Sequence, residues 1–423
     1  MRLPQGLAAF RHRNFRLFWS GMLVSLIGTW MQQVGQAWLV LQMTNDPLAL
    51  GIIAMAQFGP ILVLGPLGGL VADSVSKRTA LMFTQTAAGL LAIILAALFV
   101  TGHIEVWHIF VLAVGLGIVN SFDMPIRQAF VIEMVGREDI ANAVALNSTV
   151  FNLTRIVGPA IAGLTIAGVG IAPLFFINAA SYLAVVGSLF LMRTSEMHPP
   201  TERAVVTRHV RSVVDLLVEG VRYTRGNPRI LLIILLVGAV STFAMNFSVL
   251  IPLVARDVLQ GDADTYGFLL SAAGVGSLVS ALSIAFRRSA STRRLFIGAA
   301  LVGLGMVGLG LSRWLPLSLA MMFVAGWGAI SMAATANTMI QLSVPDVLRG
   351  RVVSLYTTVF VGSTPIGGLF SGAVASGFGG APAALIVGGS LAVVAAIVAY
   401  LRVPDRPSLR ASLPAIPGRE ARD

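Results

Sequence analysis

Three groups of residues carry types and spacings that could do chemistry. The first is a lone cation. Leu146–Pro173 is apolar and long enough to cross a bilayer as a helix, which needs roughly 20 residues, yet it holds Arg155 near its middle and a Gly158-Pro159 step just after it. A guanidinium at that depth is costly and is kept where it faces a protein interior or a wet cavity, so an ionisable residue there marks a functional site by default. It could bind an anionic substrate, act as counter-ion to a nearby carboxylate, or satisfy helix carbonyls. Pro159 removes a helix hydrogen bond and can bend the segment. The second group is Asp123 and Arg127, four apart and therefore on one helix face, placed near the cytoplasmic end of a fourth apolar segment. They can pair with each other or with Asp73 and Lys77, either as a gate that forms in one state only or as a static ion pair. The third is the loop Gly69-Leu-Val-Ala-Asp73-Ser-Val-Ser-Lys77-Arg78. There Gly69 lets helices approach, Asp73 can cap a helix or pair with a cation, and Lys77 and Arg78 can anchor at an anionic leaflet.

The segment around Arg155 occurs twice. A shift of 209 residues, which carries Arg155 onto Thr364, lays Leu146–Pro173 on Leu355–Pro382 without a gap. Gly158, Gly163, Gly168 and Gly170 then meet Gly367, Gly372, Gly377 and Gly379, and Ala172-Pro173 meets Ala381-Pro382. The chain is read as a duplication in which only one copy keeps the arginine. The same shift sets Asp123 and Arg127 on Met332 and Ala336, so that charge pair is one-sided too.

The elements that must hold these residues follow from composition. The chain has 423 residues, 56% hydrophobic and only 11% charged, against about 25% charged in soluble domains. It is therefore a polytopic membrane protein. It has no cysteine, which excludes disulfides and Cys-based metal sites. No HExxH and no phosphate-binding GxxxxGK[ST] motif occurs, so no cofactor and no metal are expected and no enzyme is read. The net charge of +11 sits in short loops, as membrane topology demands, and not in a nucleic-acid patch. Twelve apolar segments are expected, at about Arg16–Met43, Leu48–Ala72, Thr79–Thr101, Val106–Phe130, Ala141–Ala167, Ala172–Met192, Ile230–Ala255, Thr265–Phe286, Leu295–Leu311, Pro316–Leu342, Val352–Ser376 and Ala381–Leu401. With that count, all of the 29 Lys and Arg except Arg155, Arg256 and Arg313 fall on one side. This places both termini in the cytoplasm of an inner-membrane protein. The expected division is 1–194, a six-helix bundle; 195–228, a cytoplasmic linker with an amphipathic helix; 229–402, a second six-helix bundle; and 403–423, a disordered tail.

Polar residues at middle depth are candidates for a cavity wall. They are Gln33 and Gln36 above all, with Trp30, in the first segment; Asn152 beside Arg155; Asn246 in the seventh; and Thr364 in the eleventh. No acidic residue is expected near the middle of a segment, so Asp123 is the nearest choice for carrying a proton.

The loop Gly69–Arg78 resembles the signature of the major facilitator superfamily, Gly-x-x-x-Asp-Arg-x-Gly-Arg-Arg. Gly69, Asp73 and Arg78 match, Lys77 is conservative, and Ser74 and Ser76 depart from it. Gly158–Gly163 resembles the fifth-helix Gly-Pro motif of its drug/proton antiporters. Ser121–Ala129 and Val344–Val352 are similar to the branch of enterobactin-exporter-like and macrolide-efflux-like proteins. The resemblance implies an all-α fold of twelve transmembrane helices in two pseudo-symmetric six-helix bundles. It also implies gating or conformational roles for Gly69, Asp73, Lys77, Arg78, Asp123, Arg127, Gly158 and Pro159. The expected function is secondary active export of an amphipathic small molecule, a drug or siderophore, by proton antiport, in a protein read as a monomer whose partners are substrate, protons and lipid. Uptake of a metabolite, or a non-transporting receptor or assembly role, are the alternatives.

Overall fold

The computed structural model describes residues 5–198, 210–285 and 291–403. After a 3-10 turn at Gln5–Arg11 the regular elements among the described residues are helices: α1 (Arg13–Thr44), α2 (Pro47–Ser74), α3 (Lys77–Val100), α4 (Val106–Val135), α5 (Ile140–Val169), α6 (Ala172–Phe190), α7 (Val210–Gly226), α8 (Pro228–Ala244), α9 (Phe247–Leu253, continued by a π-helical turn to Val258), α10 (Ala263–Ala285), α11 (Thr292–Leu311), α12 (Leu315–Ser343), α13 (Asp346–Gly377) and α14 (Gly380–Leu401). A helix satisfies its own backbone, which lipid demands. Its ends lie where local chemistry can take over the orphan amides. Asp46 accepts from Leu48 N at 2.8 Å with Pro47 as the first residue of α2, and Asn227 does the same for Ile230 N with Pro228 opening α8. At the other ends, Gly136 and Gly170 adopt φ of 70° and 89° to close α4 and α5.

Eleven helical segments among the described residues are long and apolar enough to cross a membrane, counting Pro228–Val258 as one. The twelfth is α1, longer at 32 residues but more polar, and packed against α5 and α6. The first half joins α2 to α4, α3 to α4 and α6, and α1 to α5 and α6; the second joins α11 to α12 and α14, α10 to α12, and α8 to α13 and α14. The halves meet chiefly through two pairs, α2 with α13 and α5 with α10, with smaller contacts of α1 and α2 with α9 and of α1 with α10.

These two seams are copies of each other, and they account for the duplicated glycines. A Cβ on Gly372 of α13 would lie 2.8 Å from Pro47 O, and one on Gly163 of α5 would lie 2.8 Å from Ala263 O and Asp264 Cα. One turn along, Gly51 of α2 abuts Gly368 O and Gly267 of α10 abuts Pro159 O, so any side chain there would overlap backbone. Only glycine permits such approach. Both contacts lie at one end of the molecule, the end opposite the Lys- and Arg-rich loops. Leu48 N and Asp46 also reach Ser376 there, at 3.1 and 2.8 Å, and Arg256 donates to Leu41 O. Nearer the basic end no hydrogen bond or ion pair among the described residues links the halves; those that do run from Ser271–Ile156 to the far end. The halves are thus joined at the far end and part toward the basic end.

Three features differ from the sequence reading. The fourth segment does not stop at Phe130 but continues to Val135. Asp123 then lies twelve residues inside the helix, about 18 Å at 1.5 Å per residue, so an acidic residue does sit near mid-helix. Arg127, which looks like a boundary signal, is carried inward because it is paired. The seventh segment is not one helix: Met245 and Asn246 leave helical geometry, and the Asn246 side chain donates to Thr242 O at 2.7 Å in competition with the backbone ladder. And Pro159 does not break α5, which runs on to Val169. The proline removes the amide that would bond the Arg155 carbonyl. Beside it, Ser271 of α10 donates to Ile156 O at 2.8 Å across the seam.

Candidate functional site

Between the halves lies a cavity of about 590 Å³, lined mostly by apolar and aromatic side chains of the first half. Of the residues singled out above, Arg155, Gln33, Gln36, Trp30, Thr364, Pro159 and Arg127 stand on its wall. Arg155 and Thr364, equivalent in the duplication, face it from opposite halves. No hydrogen-bond or ion-pair partner meets the Arg155 guanidinium among the described residues, and Trp30 and Phe151 beside it pack edge to face with ring centroids 5.9 Å apart. Gly158 sits behind this wall: a Cβ there would lie 2.5 Å from Trp30 Cβ, so the glycine lets α5 approach α1 and seats the indole.

Asn152 and Asn246 are not brought to the cavity. Asn152 turns back to Ser148 O at 2.8 Å and Asn246 to Thr242 O. Short amide side chains satisfy themselves on their own helix when no polar partner faces them. Sequence depth alone could not separate them from Gln33 and Gln36.

Asp123 is fully buried and receives three donors. Thr84 Oγ1 and Gln85 Nε2 of α3 each donate to Oδ1 at 2.7 Å, and Arg127 pairs with Oδ2. Gln85 and Arg127 both stand on the cavity wall, whereas Asp123 lies behind them. The equivalent positions in the second half, Met332 and Ala336, are fully buried and apolar. Sequence reasoning missed Thr84 and Gln85; the available signal was a polar pair in an otherwise apolar third segment. It also missed Tyr182, Asn178 and Tyr266. Asn178 donates to Gln32 at 2.7 Å, and the Tyr182 hydroxyl is within hydrogen-bonding reach of Thr29 and Asn178.

The signature loop closes the first half at the basic end. Lys77 Nζ bonds Glu133 at 2.7 Å, both side chains largely buried, and so pairs with neither Asp123 nor the solvent side. Arg78 donates to Leu189 O and Phe190 O, covering the orphan carbonyls at the end of α6. Two corrections follow. Lys77 and Arg78 are held by protein and do not reach outward. Gly69 has open space where a Cβ would go, while it is Gly68, 100° around the helix, whose Cβ would collide with Ser121 O at 2.0 Å. The side chain of Asp73 lies outside the described residues.

The chain matches, over residues 4–418, the family model described as transmembrane secretion effector. It belongs to that family of major facilitator transporters. The transporter is 30% identical to the multidrug efflux pump Tap of Mycolicibacterium fortuitum over 353 residues, 81% of this chain and 84% of that one. It is 24% identical to the staphyloferrin A transporter of Staphylococcus aureus over 371 residues (86% and 90%), and 25% identical to the enterobactin exporter EntS of Shigella flexneri over 383 residues (87% and 89%). Its fold is that of the nucleoside transporter NupG, with TM-score 0.71 at 13% identity, covering 94% of this chain and 99% of that one. It is also that of a bacterial homologue of the human lysosomal transporter Spinster in an inward-facing, unoccupied conformation, with TM-score 0.69 at 12% identity (95% and 96%).

Proposed function

We propose that this transporter is a secondary active exporter of amphipathic small molecules, working by alternating access and exchanging substrate for protons. The observation that carries this reading is an unpaired guanidinium, Arg155, on the wall of a mainly apolar cavity that the halves enclose at one end. Apolar and aromatic surface takes the body of an amphipath, and a desolvated cation selects an anionic group on it. The relatives named for efflux of drugs and of siderophores support export and the amphipathic class. The basic end faces the cytoplasm by the positive-inside rule, so the cavity loads from the cytoplasm of an inner-membrane protein with both termini inside, acting as a monomer.

Rocking the halves about the fixed cavity, as major facilitator transporters do, requires the glycine seams at the far end to part. Asp123 is the proton carrier in this scheme. Accepting a proton requires its pair with Arg127 to open, and Arg127 stands where substrate also lies, so the two ligands compete through one side chain. Lys77 and Arg78 hold helix ends, and Gly158 the α1–α5 contact, that this movement changes.

The test is flux of an anionic amphipathic dye in proteoliposomes with and without an imposed pH gradient. Wild type is expected to move dye against its gradient when protons run the other way, and Arg155→Ala to lower that flux at least about tenfold, the equivalent of one charge-assisted hydrogen bond. Equal driven flux in both would remove Arg155 from the site. Gradient-independent behaviour of every dye would end the exporter reading.

A further inference from the structure

A bound molecule can drive two halves from one arrangement to another only if its contacts differ between them. The polar groups on the cavity wall are concentrated in the first half. The second half contributes mainly apolar side chains, with Ser248, Thr364 and Tyr266 as its polar members.

Tyr266 is the unusual one. It is 1% exposed, and its ring stacks on Trp38 of α1 at 6.3 Å and 19°. That packing needs no hydroxyl. Tyr356 shows what a buried tyrosine of this chain does otherwise: its hydroxyl donates to Ala333 O at 3.0 Å. Tyr182 likewise has Thr29 and Asn178 in reach. The Tyr266 hydroxyl has no partner among the described residues, yet the residue stands on the cavity wall. A phenylalanine would pack there equally well, and the hydroxyl, unlike those of Ser280, Ser331 and Ser371, is not sealed off from the cavity. The hydroxyl therefore points to something that enters the cavity.

Its position is defined by the seam. Gly267, the next residue, abuts Pro159 O, one helical turn from Arg155. Arg155 O abuts Gly274, eight residues along α10 from Tyr266, so the two positions lie about 12 Å apart along the seam, within the length of a fused-ring, drug-sized molecule.

We infer that the Tyr266 hydroxyl is a substrate contact: it bonds an oxygen acceptor of the same anionic molecule whose charged group meets Arg155, so that one ligand bridges the two halves. This rests on the exporter reading of the cavity and adds the ligand's chemistry, an anion carrying a second oxygen acceptor at the far side of a fused-ring body. The ring of Tyr266 and its stack on Trp38 stay as they are when the hydroxyl is removed, which makes Tyr266→Phe a clean probe.

The experiment measures binding of fluorescein, an anionic xanthene with oxygen acceptors on opposite rings, to purified wild type, Tyr266→Phe, Arg155→Ala and the double variant, by quenching of tryptophan fluorescence. The cationic xanthene rhodamine is the comparison, and the unliganded emission of Tyr266→Phe confirms that the Trp38 stack is intact. Tyr266→Phe is expected to raise the fluorescein Kd about tenfold, as loss of one buried hydrogen bond does. Arg155→Ala should weaken it at least as much and the double variant further still, with rhodamine little affected by Tyr266→Phe. A fluorescein Kd unchanged by Tyr266→Phe, with wild type binding well, would show that the hydroxyl meets only water and would overturn the inference while leaving the exporter reading intact. Wild type that binds neither dye would overturn the cavity reading and this inference with it.

Discussion

Replacing Asp123 by Met and Arg127 by Ala together should cost far less than replacing either alone. The two changes transplant the solution that the second half already uses, where Met332 and Ala336 fill the equivalent positions at 0% exposure. Removing one member of a buried ion pair typically costs about 3–5 kcal/mol, because the other charge is left without compensation, whereas replacing the whole pair by apolar groups of similar volume is often neutral. The two single changes are not equal. The Arg127 side chain keeps 26% exposure on the cavity side, so a guanidinium stranded by Asp123→Met can turn toward the cavity, and the loss falls near the lower figure, about 3 kcal/mol. The Asp123 side chain is 1% exposed. After Arg127→Ala it would retain only the two neutral donors Thr84 and Gln85, and the loss approaches the higher figure, about 5 kcal/mol. In the double variant Thr84 can fall back on Leu81 O while the Gln85 amide loses its acceptor, so this variant should lie about 1–2 kcal/mol below wild type, still giving a coupling energy of several kcal/mol across the cycle. Thermal inactivation rates in nanodiscs measure this, since membrane proteins of this size unfold irreversibly and a rate is the proper quantity. The same four proteins, tested for flux, address coupling: the double variant should exchange dye across the membrane yet fail to concentrate it against a pH gradient. A double variant as labile as the singles would refute the energetic argument, and one that still concentrates dye would remove Asp123 as the proton carrier.

Two further predictions concern the far-end closure. Cysteines at Asp46 and Ser376, whose side chains meet at 2.8 Å, should form a disulfide on oxidation and stop transport until it is reduced; the chain has no native cysteine to confuse the result, and unimpaired transport by a fully cross-linked sample would show that this end does not open. Gly163→Leu places a Cβ 2.8 Å from Ala263 O and Asp264 Cα, too close for the seam to shut, so a reporter cysteine in the cavity should become labelled by an impermeant thiol reagent applied at the far side, where wild type resists it.

The sequence by itself determined the class of molecule and most of its plan. Sparse charge, twelve apolar segments and a one-sided distribution of Arg and Lys leave few alternatives to a bundle of transmembrane helices, because the bilayer imposes length and backbone satisfaction on every segment alike. The 209-residue register exposed the duplication, and the cost of an intramembrane charge marked Arg155 without any structure. What the sequence could not tell is which way a side chain faces, which helix it meets, and where a helix continues past a charge. Gln33 and Asn152 look alike by depth, yet one lines the cavity and the other bonds its own helix. Gly68 and Gly69 are adjacent, and only the first meets a backbone. Asp123 looked peripheral because Arg127 reads as a boundary, whereas the ion pair between them carries both inward. The duplicated glycines were legible as a pattern, but their purpose, two equivalent seams closing one end, exists only once α2 meets α13 and α5 meets α10. Contacts between segments distant in the chain depend on rotation about each helix axis, and hydropathy in a membrane protein, apolar on the lipid side and in the core, leaves that rotation unspecified.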